Sequence, residues 1–546
     1  MIQAIIKHKW LTSFCIVVLS FGAFNLFLFP IFNSGDDVFL MYTLAGGYGE
    51  APTNLLHYNH IWHPALGWIV KSLFAVLPAI NWYTVFLVII QAAGCSAMVY
   101  VLLKRSQLFI ALLFYILFFF FVEVRVLLSL NFTSSAWVLA SGGYALLLDA
   151  IPGRANRTNI FIACLLLLVA GLLRLHIVLL VTLLFFPCFI FFASKEYKRW
   201  GVILIGITGL VFLFNLQHQG FYKKHIPDWQ QQESLRQSLF SVYNRPINTT
   251  RTDSGIFLSN TEKAFFAANF FYDSSFLSSE RIEQISEALV KQRSYKANLD
   301  FEGLYWSFME WRVYILLLGI AFFIAWRTGY LKTVFRYWAP LALFALLVYF
   351  ILAIFFKMTF TIYMGFLMML FIYSIWILPH GYKFVDTIKS IKLDLSLLLL
   401  LAPFIWICIR IAKTDNQNRE KHLRFTCAVE ELARNPDKLF IATDDALPLG
   451  FFHIWSLPAR NKMTNLIYKD RMLTHTYDST LLRFGITDIM HSIYENPKVF
   501  LTGKEFPELK DYYKRMRQYS IEISSEFKEF SCLEVRKILQ LISLNL

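Results

Sequence analysis

Long apolar runs alternate with short polar loops over most of the chain. Runs at 11–32, 82–103, 108–122, 126–148, 160–173, 175–193, 200–215, 313–326, 337–356, 359–378 and 395–411 fit the roughly 15–25 residues of a membrane-crossing helix. The pattern predicts about eleven crossings, and the two runs around Arg174 are open to being one kinked unit. A further apolar segment, 64–77, is short, amphipathic and interrupted by Lys71. It reads as lying on or re-entering the membrane.

Three longer polar stretches punctuate this pattern: the acidic first loop 33–81 around that segment, the large loop 216–311, and the tail 412–546. In the large loop, 279–296 has helical spacing behind a Ser cap. In the tail, 438–442 and 498–502 read as buried strands, 505–519 as a helix and 532–536 as an edge strand. Thr443-Asp444-Asp445 reads as the turn after the first strand. The expected fold is an α-helical polytopic membrane domain over 1–411, followed by a small extracytoplasmic α/β domain over 412–546.

Composition strengthens the membrane reading. The 546 residues are 57% hydrophobic and 16% charged, against about a quarter charged in soluble chains. Mean hydropathy is +0.52. A net charge of +14 raises nucleic acid as a partner, but the cations collect in short loops, which sets topology and builds no groove. One set of loops carries Lys7 and Lys9, Lys104 and Arg105, Arg154 and Arg157, Lys195, Lys198 and Arg199, Arg327, Lys332 and Arg336, and Lys383, Lys389 and Lys392. The alternate set carries little beyond Lys71, Arg125, Arg174 and Lys357. The positive-inside rule puts the first set in the cytoplasm, with the N-terminus. The acidic loop, the large loop and the tail then lie outside the cell membrane. The first run reads as a signal anchor, because it is too long for a cleaved signal and lacks a small-residue cleavage site. Cys15, Cys95, Cys164, Cys188 and Cys408 fall in apolar spans and read as inert. Cys427 and Cys532 lie in the tail, and their pairing stays open. No metal-ligand spacing appears.

Candidate chemistry starts at Asn33-Ser34-Gly35-Asp36-Asp37-Val38-Phe39, directly behind the first span. A carboxylate pair at a membrane exit is costly to keep from bulk water. Either it caps a helix starting at Val38, or it carries chemistry. Arg125, Arg174 and Lys357 stand out as cations on the outer side. They suit a phosphate, or they snorkel, or in the case of Arg125 pair with Glu123. His57, His60 and His63 are spaced so that they leave one helical face, and Pro64 interrupts them. Substrate hydrogen bonding or interfacial packing fits them better than a metal. Tyr58, Trp62 and Trp68 suit an interface belt or a sugar-stacking face. In the large loop Tyr222, Trp229, Asn244-Arg245 and Tyr272-Asp273 either meet an acceptor or fold the loop. No P-loop, dinucleotide fingerprint or serine-hydrolase elbow is present, which argues against a nucleotide-driven pump.

The acidic pair behind the first span, the Gly-rich stretch through Gly46-Gly47-Tyr48-Gly49, the segment 64–77, Asn81-Trp82-Tyr83 and the topology together resemble the GT-C superfamily of integral-membrane glycosyltransferases. They look most like its bacterial members that modify surface polysaccharides. The resemblance implies a sugar donor linked through phosphate to a polyprenol, and a cell-surface or lipid-linked glycan as acceptor. It makes Asp36 the base and Asp37 a supporting carboxylate. It gives Arg174, Arg125 and Lys357 the lipid phosphate, and His60, His63, Tyr58, Tyr272 and Asp273 contacts to substrate. Some members of the family use a divalent cation, Mg or Mn, near the acidic pair, and others none. The rivals are a transporter or flippase, and a polymerase or ligase, of lipid-linked saccharides. A carrier tends to place ionisable groups at mid-membrane in two similar halves, and no such halves are visible.

Overall fold

The computed structural model describes residues 8–49, 51–56, 62–150, 157–192, 197–226, 334–355, 359–377, 393–442, 452–458, 462–467, 478–502 and 508–517, with shorter pieces between 229 and 332 and from 519 to 543. Among the described residues, six helical stretches are long and apolar enough to cross a membrane: Lys9–Phe27, Trp82–Arg105, Leu108–Leu128, Arg157–Phe191 with a break at Arg174, Lys198–His225 and Val334–Ala353. Pro64–Val76 and Phe360–Ile375 are shorter apolar helices. The chain divides into two compact units. One comprises Met1–Asn33, Tyr83–Gln217 and Leu299–Arg419; the other comprises Ser34–Trp82, His218–Asn298 and Glu420–Leu546. The second unit gathers most of the three stretches that the loop charges assign to one side.

In the first unit, helix Lys9–Phe27 buries one stripe, Ser13, Val17, Phe21 and Phe24, and exposes much of the rest. That one-sided burial is the mark of a helix at the rim of a bundle. Helix Phe132–Ala150 is the opposite case, with every residue buried. Its start is fixed by Asn131, whose Oδ1 accepts from Ser134 N at 2.7 Å. It meets helix Trp82–Arg105 backbone to backbone: a Cβ on Gly142 would lie 2.8 Å from Gly94 Cα, and one on Gly94 would lie 2.7 Å from Val138 C. Only glycine allows that approach. At the far end of the same helix, buried Asp149 accepts from Lys104 Nζ at 2.6 Å and Arg105 Nε at 3.2 Å.

Several boundaries move. The run expected to end at 122 continues through a turn of π-helix, Phe119–Glu123, and then Val124–Leu128. The turn shifts to Ser129–Leu130, which pairs in parallel with Ile31–Phe32. The runs on either side of Arg174 are two helices, and Arg174 breaks them with extended backbone, φ −160° and ψ 96°. Helix Tyr197–His225 runs past the expected end at 215. Helix Leu393–Arg434 takes in the last expected span and continues through position 412 without a break. Of the run 313–326, only Tyr314 and Ile315 are among the described residues.

The second unit holds a sheet ordered Leu466–Ile467, Leu439–Ala442, Val499–Thr502, Val535–Arg536. The first three strands are parallel and the last antiparallel. Strands buried on both faces read as unbroken apolar runs, which is why 438–442 and 498–502 were visible in the sequence. Helical turns Glu508–Tyr512 and Tyr513–Arg517 occupy most of 505–519, and strand Tyr519–Ile523 then pairs with Ile538–Ser543. Cys427 is disulfide-bonded, whereas Cys15, Cys95, Cys164, Cys188 and Cys408 are free thiols. Cys532, the turn Thr443-Asp444-Asp445 and Asn244-Arg245 lie outside the described residues, as does most of 279–296.

Candidate functional site

The acidic pair lies in the first turn of helix Gly35–Ala45. Ser34 holds the cap position with extended backbone, so the helix begins three residues before Val38 and both acids fall inside it. The exposed helix N–H groups and the helix dipole favour negative charge there. The two acids differ in environment. Asp36 is half-buried, and Asp37 is fully buried. Ser34 Oγ donates to Asp37 Oδ2 at 2.8 Å. From Asp37 to Leu44 every side chain is buried, so no face of this stretch is open to solvent. The sequence signal was the absence of a polar face over 38–44.

Helix Pro64–Val76, the Gly-rich stretch and the tail each supply part of its cover. Gly46, Tyr48 and Gly49 take left-handed backbone, φ 81°, 56° and 85°. A Cβ on Gly47 would lie 2.5 Å from the Tyr42 ring, and one on Gly46 would lie 2.8 Å from Pro52. Tyr48 N donates to Lys462 O at 2.7 Å, and Thr480 Oγ1 donates to Tyr48 O at 3.0 Å. A non-glycine residue in that region is unfavourable by about 1–2 kcal/mol. Tyr48 tolerates it because both backbone groups are bonded and the ring is buried against Phe39 and Tyr42. Asn81 Nδ2 donates to Ile454 O and Ser456 O, each at 2.9 Å, and so joins the end of the first loop to the tail.

Beside this helix lies a cleft of about 550 Å³. Tyr42 forms part of its lining, with Phe425, Phe452 and Trp455, and with His422 and His453. The Tyr42 hydroxyl is buried with no hydrogen-bond partner among the described residues. Burial raises its pKa well above the usual tyrosine value, with the neighbouring Tyr48 adding to the effect, so it is a neutral donor at physiological pH. None of these cleft residues was singled out from the sequence, because they come from segments nearly 400 positions apart.

The remaining candidates scatter. His63 caps helix Pro64–Val76: its Nδ1 accepts from Ala65 N at 3.2 Å, and Pro64 starts the helix. Its ring meets His218 edge-on at 5.4 Å. His218 packs on Tyr222, which stacks with Trp229 at 4.6 Å and accepts from Leu56 N at 2.9 Å. Asp273 binds within its own fold, taking Tyr512 Oη on one oxygen and Phe276 N at 3.3 Å on the other. Tyr58, His60 and Tyr272 lie outside the described residues, as do His57 and Lys357.

Two cations fall in the first unit. The Arg174 side chain donates to Thr133 Oγ1 and covers the Phe132 ring at 5.3 Å, at the first turn of helix Phe132–Ala150. Arg125 Nη1 donates to Tyr314 Oη at 3.3 Å, with its guanidinium 5.6 Å from the Phe360 ring centroid. Glu123, one of the alternatives offered for Arg125, is fully buried against Cys95. A second cleft, of about 520 Å³, is lined by Arg157, Lys198 and Arg199 with Ile160, Val202 and Ile203. Among the described residues, no three His, Cys, Asp or Glu side chains converge as a metal-holding group. Set against protein-family models, curated proteins and solved structures, the chain matches none.

Proposed function

We propose that the chain is an integral-membrane glycosyltransferase. It moves a sugar from a polyprenyl-phosphate carrier to a hydroxyl of a cell-surface or lipid-linked glycan at the outer face of the cell membrane. The observation that carries this reading is the unequal acidic pair: a half-buried Asp36 beside a buried, hydrogen-bonded Asp37, both in the first turn of an enclosed helix.

In the reaction, the acceptor oxygen forms a bond to the anomeric carbon while the bond from that carbon to the lipid phosphate breaks. Asp36, the more accessible acid, takes the proton from the attacking hydroxyl. Asp37 keeps negative charge near the developing oxocarbenium ion, with Ser34 holding its orientation. The polyprenyl phosphate departs with the bonding electrons, and Arg174, Arg125 and Lys357 are its assigned cations. Arg174 suits an anion, since its guanidinium and a helix N-terminus both contribute positive potential.

Two observations support a tail that lies outside. Most of the stretches that the loop charges assign to the outer side fall in one compact unit. Cys427 in that unit is disulfide-bonded, as expected in an oxidising compartment.

The test is sugar incorporation into surface glycan by Asp36→Asn and Asp37→Asn, assayed separately. Loss of the base is expected to slow transfer about 10²–10⁴-fold. Wild-type incorporation in both variants would remove the transferase reading.

A further inference from the structure

We propose that the cleft lined by Tyr42 is a saccharide-binding subsite, where the acceptor glycan is held. The inference rests on the transferase reading for the role of the sugar, but not for its binding.

The cleft, about 550 Å³, is of the size that takes a small ligand. Its walls alternate flat apolar rings with polar groups. Phe425 and Phe452 pack 5.4 Å apart, and Trp455 is 37% exposed. Between them, His422 Nδ1 accepts from His453 N at 3.3 Å. The proton of a neutral His422 is then on Nε2, 3.3 Å from Thr426 Oγ1, which leaves Thr426 its own hydroxyl proton to donate. Tyr42 contributes a fully buried hydroxyl with no partner among the described residues, an unfavourable state that a ligand hydroxyl would relieve. An acyl chain would leave those groups unsatisfied. A sugar presents C–H faces to rings and hydroxyls to donors, as this lining requires. Tyr42 also lies on the helix that carries Asp36, about 9 Å along its axis at 1.5 Å per residue. One enclosed element thus holds both the binding surface and the proposed base.

The experiment is saturation-transfer NMR on the full chain in nanodiscs, which avoids detergents with sugar head groups. The probes are methyl glycosides of glucose, galactose, mannose, N-acetylglucosamine, rhamnose and arabinose. Saturation transfer to at least one is expected. Trp455→Ala and the conservative Tyr42→Phe should each weaken its affinity about fivefold to tenfold. Asp36→Asn should bind as the wild type does while failing to transfer sugar. Absence of saturation transfer to every glycoside, or equal affinity in both cleft variants, overturns the proposal. Cleft-dependent binding together with wild-type transfer by Asp36→Asn and Asp37→Asn supports the subsite and removes the transferase reading alone.

Discussion

Ser34 and Asp37 are joined by a 2.8 Å hydrogen bond across the first turn of helix Gly35–Ala45, with the hydroxyl donating to the carboxylate. Asp37 is fully buried, so this bond falls in a setting where a charged acceptor depends on its donors. Ser34→Ala removes the donor and should lower stability by about 1.5–3 kcal/mol, with Ser34→Thr restoring it. Thermal unfolding in detergent measures this. Equal midpoints for Ser34→Ala and the wild type would show that the bond contributes nothing.

Gly142→Ala tests the helix crossing in the first unit. The added methyl would sit 2.8 Å from Gly94 Cα and has no flexible side chain to displace. Overpacking of this kind is destabilising by about 1–3 kcal/mol. Gly22→Ala, where a Cβ meets nothing within 4 Å, is the control and should be near neutral or slightly stabilising. Matching midpoints for the two variants would contradict the close crossing.

Asp149→Ala leaves Lys104 and Arg105 without their shared acceptor. Removing one partner of a buried pair is destabilising by about 3–5 kcal/mol. The Lys104 side chain is 40% exposed and its share is screened, so the lower end, about 3 kcal/mol, is expected. Asp149→Asn, which keeps the acceptor oxygen, should lose less. The readout is again the unfolding midpoint, and a larger loss in Asp149→Asn than in Asp149→Ala would argue against the ion pair.

The sidedness proposal predicts that protease added to intact spheroplasts cleaves within the tail, and that Cys427 resists a maleimide reagent until a reductant is added. Protection of the tail until the membrane is lysed would place it on the inner side and remove the outer-face assignment of Asp36 with it.

The helices were legible where apolar length alone decides them, as for the run 82–103, which is helix Trp82–Arg105. Their ends were not. The shift from 122 to Leu128 depends on a π turn and on a strand pair with Ile31–Phe32, which no local pattern announces. Arg174 was picked out as a cation between two runs, and its backbone is the break between two helices. For the acidic pair, position was readable, but the unequal burial of Asp36 and Asp37 was not, since it follows from what surrounds the helix. The cleft was unreadable for the same reason: Tyr42 and Phe452 meet at 5.8 Å from distant parts of the chain.

The bonds from Tyr48 to Lys462 and from Thr480 to Tyr48 set an order of assembly. At about 5–20 residues per second, the acidic helix leaves the ribosome well before the residues that enclose it are made. Through that interval Tyr42 lacks its tail neighbour Phe452 and is open to aggregation or to a chaperone. Enclosure of the acidic helix is therefore a late event in biogenesis, so a nascent chain stalled before residue 462 carries the acids without their finished surroundings.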